Sequence, residues 1–303
     1  MKVTLDLDAL KEAGEITDAE YERLQALGHR NTHTLALNLL IAFGVVAVAL
    51  GAAVLIRNVA LIAIIGLVLL LGGALVQKKH RREWLILSQV LLLTGALMFG
   101  GAQLASTGAY HRESYLLVAF VYAAGAWFAH SGLLAALATV ALGGIVGAGT
   151  AYSHATYFFW TRTPMLTIAL FAGLGFGLWW LAGKLVAEKR RILIIAARTS
   201  IFMVMLGFWI GSLWGDRSFY RWNGVTGRYE GVLIPGWPFS LLWAVALIGA
   251  MWWAWKQNHR WLLNTAAVFT GIHLYTQFFE YFKFNPASLL LAGLLRLNRH
   301  MIT

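Results

Sequence analysis

The sequence contains no cysteine and little charge. Without a thiol there is no disulfide framework, no thiolate nucleophile and no sulfur ligand for a metal. Charged residues make up 12% of the 303 positions and hydrophobic ones 59%, which with a mean hydropathy of +0.68 lies well outside soluble averages. A soluble core cannot absorb that much apolar surface. Also missing are an H-E-x-x-H pair, a G-x-S-x-G elbow and a paired-aspartate metal motif, so an enzyme is the least favoured class. Nothing in the residues calls for a cofactor or a resident metal.

What is present is one apolar run after another. Hydrocarbon about 30 Å thick takes about 20 apolar residues per helical crossing. Spans are expected at 34 to 56, 59 to 77, 84 to 106, 114 to 130, 132 to 153, 163 to 183, 192 to 214, 237 to 255 and 261 to 282. A shorter apolar stretch follows at 286 to 297. From Pro286 to Leu295 it covers only about 15 Å as a helix, so a tenth crossing would have to continue through Arg296 and Arg299 to Thr303. The expected fold is all-α, a polytopic transmembrane bundle of nine to ten spans. Trp84, Trp160, Trp214, Trp237, Trp255 and Trp261 fall near the expected span ends, where an indole sits at headgroup depth.

Residues 1 to 33 differ from the rest. They hold seven carboxylates and no basic stretch leading into a short apolar run, so the first span itself is expected to direct the chain to a membrane. Leu5, Leu7 and Leu10 mark a first helical arm ended by Gly14. Thr17 and Glu20 form a capping box for a second arm, which carries Tyr21, Leu24 and Leu27 and is expected to stop at Gly28. The domain division is thus an acidic cytoplasmic hairpin over 1–33 and a transmembrane domain over 34–303 with an external loop at 215–236. Two such short arms cannot fold alone, so the hairpin should dock on the membrane domain or on a cytoplasmic protein partner.

The net charge is +11, yet the basic residues are parcelled into turns between apolar runs. That pattern sets membrane topology and argues against nucleic acid as a partner; the bilayer is the partner it implies. With the N-terminus in the cytoplasm, inside segments hold sixteen Lys and Arg and outside loops seven, which agrees with the positive-inside rule and with an inner, cell membrane. Arg198 lies about 10 Å along its helix from Arg191, and snorkelling toward cytoplasmic headgroups explains it most cheaply. Glycines four apart at 143 and 147, at 173 and 177, and at 207, 211 and 215 suggest faces for close helix packing.

Three stretches carry a resemblance. Gly14-Glu15-Ile16-Thr17, Gly101-Ala102-Gln103-Leu104 through Tyr110 to Tyr115, and His273-Leu274-Tyr275-Thr276-Gln277-Phe278-Phe279-Glu280 together resemble a family of uncharacterised prokaryotic multi-pass membrane proteins, a domain of unknown function. The resemblance implies an N-terminal helical hairpin and about ten transmembrane helices, and it carries no catalytic role.

Polar groups inside a span are expensive and become functional suspects. Thr270, His273, Gln277 and Glu280, spaced three, four and three apart, share one face of the ninth span. They suit either a proton- or cation-handling stripe or a set of interhelical hydrogen bonds. Gln103, Tyr110, His111 and Glu113 form an external polar cluster around Arg112; His111 and Glu113 with His154 and Glu280 lack regular ligand spacing, so no metal is assigned. In the external loop, aromatic arms at 218–222 and 228–233 flank Asn223-Gly224, which predicts a β-hairpin. There Arg217, Arg221, Trp222 and Arg228 would suit an anionic headgroup or glycan, or an interfacial lid. Two functions follow: movement of a small ion, solute or lipid through the bundle, or a scaffold or sensor that docks a partner through its N-terminal hairpin.

Overall fold

The computed structural model describes residues 10–11, 13–79, 84–107, 111–153, 156–161, 163–223 and 228–282. Among them the chain forms helices α1 (Asp18–Leu55), α2 (Val59–Lys79), α3 (Leu85–Thr107), α4 (Arg112–Ala129) and α5 (Gly132–Ile145). Strands β1 (Ala148–Ser153) and β2 (Thr156–Thr161) follow, then α6 (Pro164–Ala182) and α7 (Ala187–Trp214). Strands β3 (Asp216–Asn223) and β4 (Arg228–Ile234) precede α8 (Gly236–Lys256) and α9 (Arg260–Phe282). The fold is an all-α polytopic bundle, and the second half of the chain adds two short antiparallel hairpins.

Among the described residues six helices are long and apolar enough to cross a membrane: α1 over Leu37–Leu55, α2, α3, α6, α7 and α8. The other three expected spans are shorter or more polar than these six. The fifth, expected over 132–153, stops at Ile145 after 14 residues, and Gly147 at φ +76° turns the chain into β1. Arg112 and Glu113 open α4, while α9 carries Arg260, Asn264, His273, Gln277 and Glu280. The tenth stretch at 286–297 lies outside the described residues.

The N-terminal arm also differs from expectation. Its capping box is present: Glu20 N–H donates to Thr17 Oγ1 at 3.3 Å, and Thr17 N–H donates to the Glu20 carboxylate at 2.9 Å. Those bonds to Thr17, the backbone one first, hold the Glu20 carboxyl below its ordinary range. Lys11 pairs with Asp18 at 2.9 Å, which raises its pKa, and its ammonium lies over the Tyr21 ring. The helix does not stop at Gly28. It runs unbroken to Leu55, because one glycine inside a helix costs only about 1 kcal/mol and no proline or second signal reinforces it.

The chain forms two compact units, residues 1–135 and 136–303. In the first, α2 and α3 pack backbone to backbone. A Cβ on Gly66 would lie 2.5 Å from Phe99 N, and one on Gly95 would lie 2.5 Å from Leu70 N, so only glycine fits at either position. Between the same helices Gln89 Nε2 donates to Gln77 Oε1 at 2.9 Å. Tyr122 of α4 donates its hydroxyl to the Ala96 carbonyl of α3. Side chains such as Phe43, Val48 and Leu55 of α1 stand exposed, as lipid-facing residues do in a bilayer.

In the second unit α7 is the most enclosed span, with Phe171 of α6 and Met203 of α7 in one buried cluster and Met205, Trp243, Leu247, Ala266 and Phe269 in another. Its glycines behave unequally. Gly207 and Gly211 approach Ile168 and Phe239, Gly143 approaches Met203, and Gly175 approaches Ser200, whereas Gly173 and Gly177 have nothing within 4 Å. The expected packing face at 173 and 177 is therefore not one.

Candidate functional site

Helices α8 and α9 run antiparallel, joined at residues 257–259 with Asn258 at φ +54°. Large rings space them. Trp243 of α8 is fully buried and meets two α9 rings edge-on: Phe269 at 6.4 Å between centroids and His273 at 4.7 Å. Burying a tryptophan brings a large apolar contribution but also an N–H that needs an acceptor. Here Trp243 Nε1 has none, and the buried His273 Nδ1 and Gln277 Nε2 have none either. His273 and Gln277 stand one turn apart on α9, so their Cβ atoms are close neighbours.

The other members of the expected stripe behave differently. Thr270 Oγ1 donates to the Ala266 carbonyl of its own helix at 2.8 Å and lies 3.9 Å from the Met251 sulfur. Glu280 is exposed and lines a cavity of about 800 Å³ with Trp209, Leu213, Tyr275 and Phe279. Beside it, Thr276 bridges α9 to α7 by accepting from Trp209 Nε1 at 3.2 Å while donating to Ile272 O at 2.6 Å. The structure thus brings His273 against Trp243, a residue the sequence reading did not single out. Its position was the available signal: Trp243 sits in the middle of a span, unlike the tryptophans at span ends.

Compared with known proteins, the chain matches no family model, no curated protein and no solved structure. The resemblance read from the sequence rests on its three motifs alone.

The remaining candidates are more dispersed. His111 precedes α4 and Glu113 lies in its first turn, where a carboxylate complements the helix dipole; His111 Nδ1 and Glu113 Oε2 are 3.9 Å apart and both exposed, a pairing of little energetic weight. Gln103 is half-buried near the end of α3, while Tyr110 and His154 lie outside the described residues. Among the described residues no three His, Asp or Glu side chains gather as metal ligands would.

The loop hairpin forms as β3 and β4, with Arg221 opposite Glu230, Trp222 opposite Tyr229 and Asn223 opposite Arg228 in register. The side chains of Arg217, Arg221, Trp222 and Arg228 and the turn at 224–227 lie outside what is described. The hairpin begins at a feature the sequence reading missed: Asp216 is fully buried and its carboxylate accepts Met165 N–H at 2.7 Å, capping the first turn of α6. Gly215 enters this turn at φ +68°, and a Cβ there would lie 2.2 Å from Ile234 O. Both the conformation and the space require glycine.

Proposed function

We propose that this integral membrane protein moves a small ion or solute, with the proton the first candidate, along the seam of α8 and α9. The observation that carries the reading is the set of three buried nitrogens without partners, Trp243 Nε1, His273 Nδ1 and Gln277 Nε2. A buried polar group left unpaired in low dielectric is costly, which makes polar groups inside membrane helices functional suspects. Two of the three only donate, whereas a histidine ring nitrogen can accept or donate, which suits handing a proton between waters. The exposed Glu280, which lines the groove between α7 and α9 three residues beyond Gln277, would serve as the outer carboxylate.

Vesicles reconstituted with the full chain and loaded with a pH-sensitive dye test this. Wild type should dissipate an imposed pH gradient faster than empty vesicles; His273→Ala, Gln277→Leu and Glu280→Gln should remove that excess, and Thr270→Val should keep it. Wild-type vesicles no faster than empty ones, or undiminished flux in folded His273→Ala, would end the proposal.

The orientation that goes with it places the N-terminus in the cytoplasm of a cell with an inner membrane, supported by the distribution of basic residues. The native chain has no thiol, so Ser218→Cys should react with an impermeant maleimide from outside intact cells. Labelling solely after the membrane is opened would reverse the topology. The second reading, a scaffold that docks a cytoplasmic partner through residues 1–33, draws support from the exposed first turns of α1, Asp18 to Leu24, around the half-buried Tyr21. Loss of partner capture on deleting residues 1–30, with proton flux unchanged, would favour it.

A further inference from the structure

The helix ends at 183–191 and 256–260 carry Lys184, Lys189, Arg190, Arg191, Lys256 and Arg260 against one carboxylate, Glu188. Two of these cations rest on indoles, Lys184 over Trp180 at 3.3 Å and Lys256 over Trp252 at 4.1 Å, the pairing expected where a helix leaves hydrocarbon for headgroups. Beneath this basic rim, α6, α7 and the ends of α8 and α9 enclose a cavity of about 460 Å³. Its walls are aromatic and aliphatic, with Phe176, Trp179, Ile201 and Leu262 among them, and it holds one permanent cation, Arg198.

Snorkelling explains the direction of Arg198 but not its setting. The residue sits eleven positions into α7, about 16 Å from the helix start, and its guanidinium turns back to lie 4.9 Å from the centre of the Trp261 ring in the first turn of α9. Next to it His259 stacks on Trp253 at 5.3 Å and 15°. Among the described residues no carboxylate pairs with Arg198, so the protein leaves this charge unneutralised within reach of the bilayer. A cation at headgroup depth, backed by the positive end of the α9 helix and opening onto an apolar cavity, matches a ligand with an anionic head and a hydrocarbon tail.

We infer that the cavity binds one anionic phospholipid, its phosphate on Arg198 and an acyl chain along the wall formed by α6 and α7. A free phosphate would find one cation and otherwise apolar surface, whereas a lipid uses both. The basic rim raises the local concentration of anionic lipid, and basic pockets between transmembrane helices are a recurring way of holding such headgroups. The site does not involve Trp243, His273 or Gln277, so it stands apart from the transport reading.

Lipid retention reads it without any flux. The full chain, purified in micelles holding equal phosphatidylglycerol and phosphatidylcholine, should by native mass spectrometry retain phosphatidylglycerol about tenfold over phosphatidylcholine, whose own choline cation offsets its phosphate and is repelled by Arg198. Arg198→Gln should bring the two to parity, and Arg198→Lys should keep most of the preference. Ala172→Phe, which fills the cavity from an exposed position and alters no charge, should lower retention of phosphatidylglycerol and carries the test if Arg198→Gln does not fold. Equal retention of the two lipids by wild type, or an unchanged preference in Arg198→Gln or in Ala172→Phe, overturns the inference. Displacement of the lipid by excess glycerol phosphate overturns it too, because the occupant would then be a water-soluble phosphate.

Discussion

The α2–α3 pair and the α8–α9 pair are both antiparallel neighbours in a bundle, and they solve helix association in opposite ways. The first removes side chains: Gly66 and Gly95 let the two backbones touch, and the polar pair Gln77 and Gln89 closes on itself. The second inserts rings: Trp243 meets Phe269 and His273 edge-on, Gly249 and Gly271 have nothing within 4 Å, and the buried nitrogens Trp243 Nε1 and His273 Nδ1 stay open. In lipid, burial of apolar area gives helices little reason to associate, so close backbone approach is the stronger solution. A ring-spaced seam gives up some of that packing, and in return it leaves polar atoms that something else can meet.

The contrast is broken most forcefully at the glycines. Gly95→Leu drives a side chain into the Leu70 backbone and should destabilise the folded protein by about 3 kcal/mol, the upper part of the overpacking range, while Gly249→Leu should stay within about 0.5 kcal/mol. Unfolding in mixed micelles titrated with SDS measures both. Equal losses would mean that the two pairs are packed alike.

The polar pairs give a smaller and more diagnostic effect. Gln89→Leu leaves Gln77, itself buried, without its partner and should cost about 1 kcal/mol. Gln277→Leu removes a donor that has no partner, so it should be neutral or stabilising by up to about 1 kcal/mol in the same titration. A loss at Gln277 as large as that at Gln89 would show that its amide is bonded in the bilayer, and the seam would then be a packing device.

The long apolar helices and the β3–β4 hairpin were legible because their signals are local. Runs of about 20 apolar residues state their own length, and aromatic arms on either side of Asn223-Gly224 state a paired hairpin. The first hairpin was not legible: Ala148–Ser153 is small and weakly polar, and read in line it extends the apolar run that really ends at Ile145. Glycine spacing marked Gly207 and Gly211 correctly but also Gly173 and Gly177, since spacing cannot tell a face turned to a helix from one turned to lipid. At the candidate site the spacing of His273 and Gln277 was visible along one helix, whereas the contact of His273 with Trp243 depends on a second helix 30 positions away in the chain.

The unbroken α1 helix has a mechanical consequence. Its 38 residues make a rod about 57 Å long, of which Leu37–Leu55, about half, is the stretch apolar enough for hydrocarbon. A stiff rod that continues from water into the bilayer without a joint behaves as a lever. Whatever grips its capped end, from Asp18 to Leu24, applies torque to the apolar half, so tilt or rotation at one end becomes tilt or rotation at the other. A break at Gly28 would have uncoupled the two halves; an intact helix makes a handle of the acidic end.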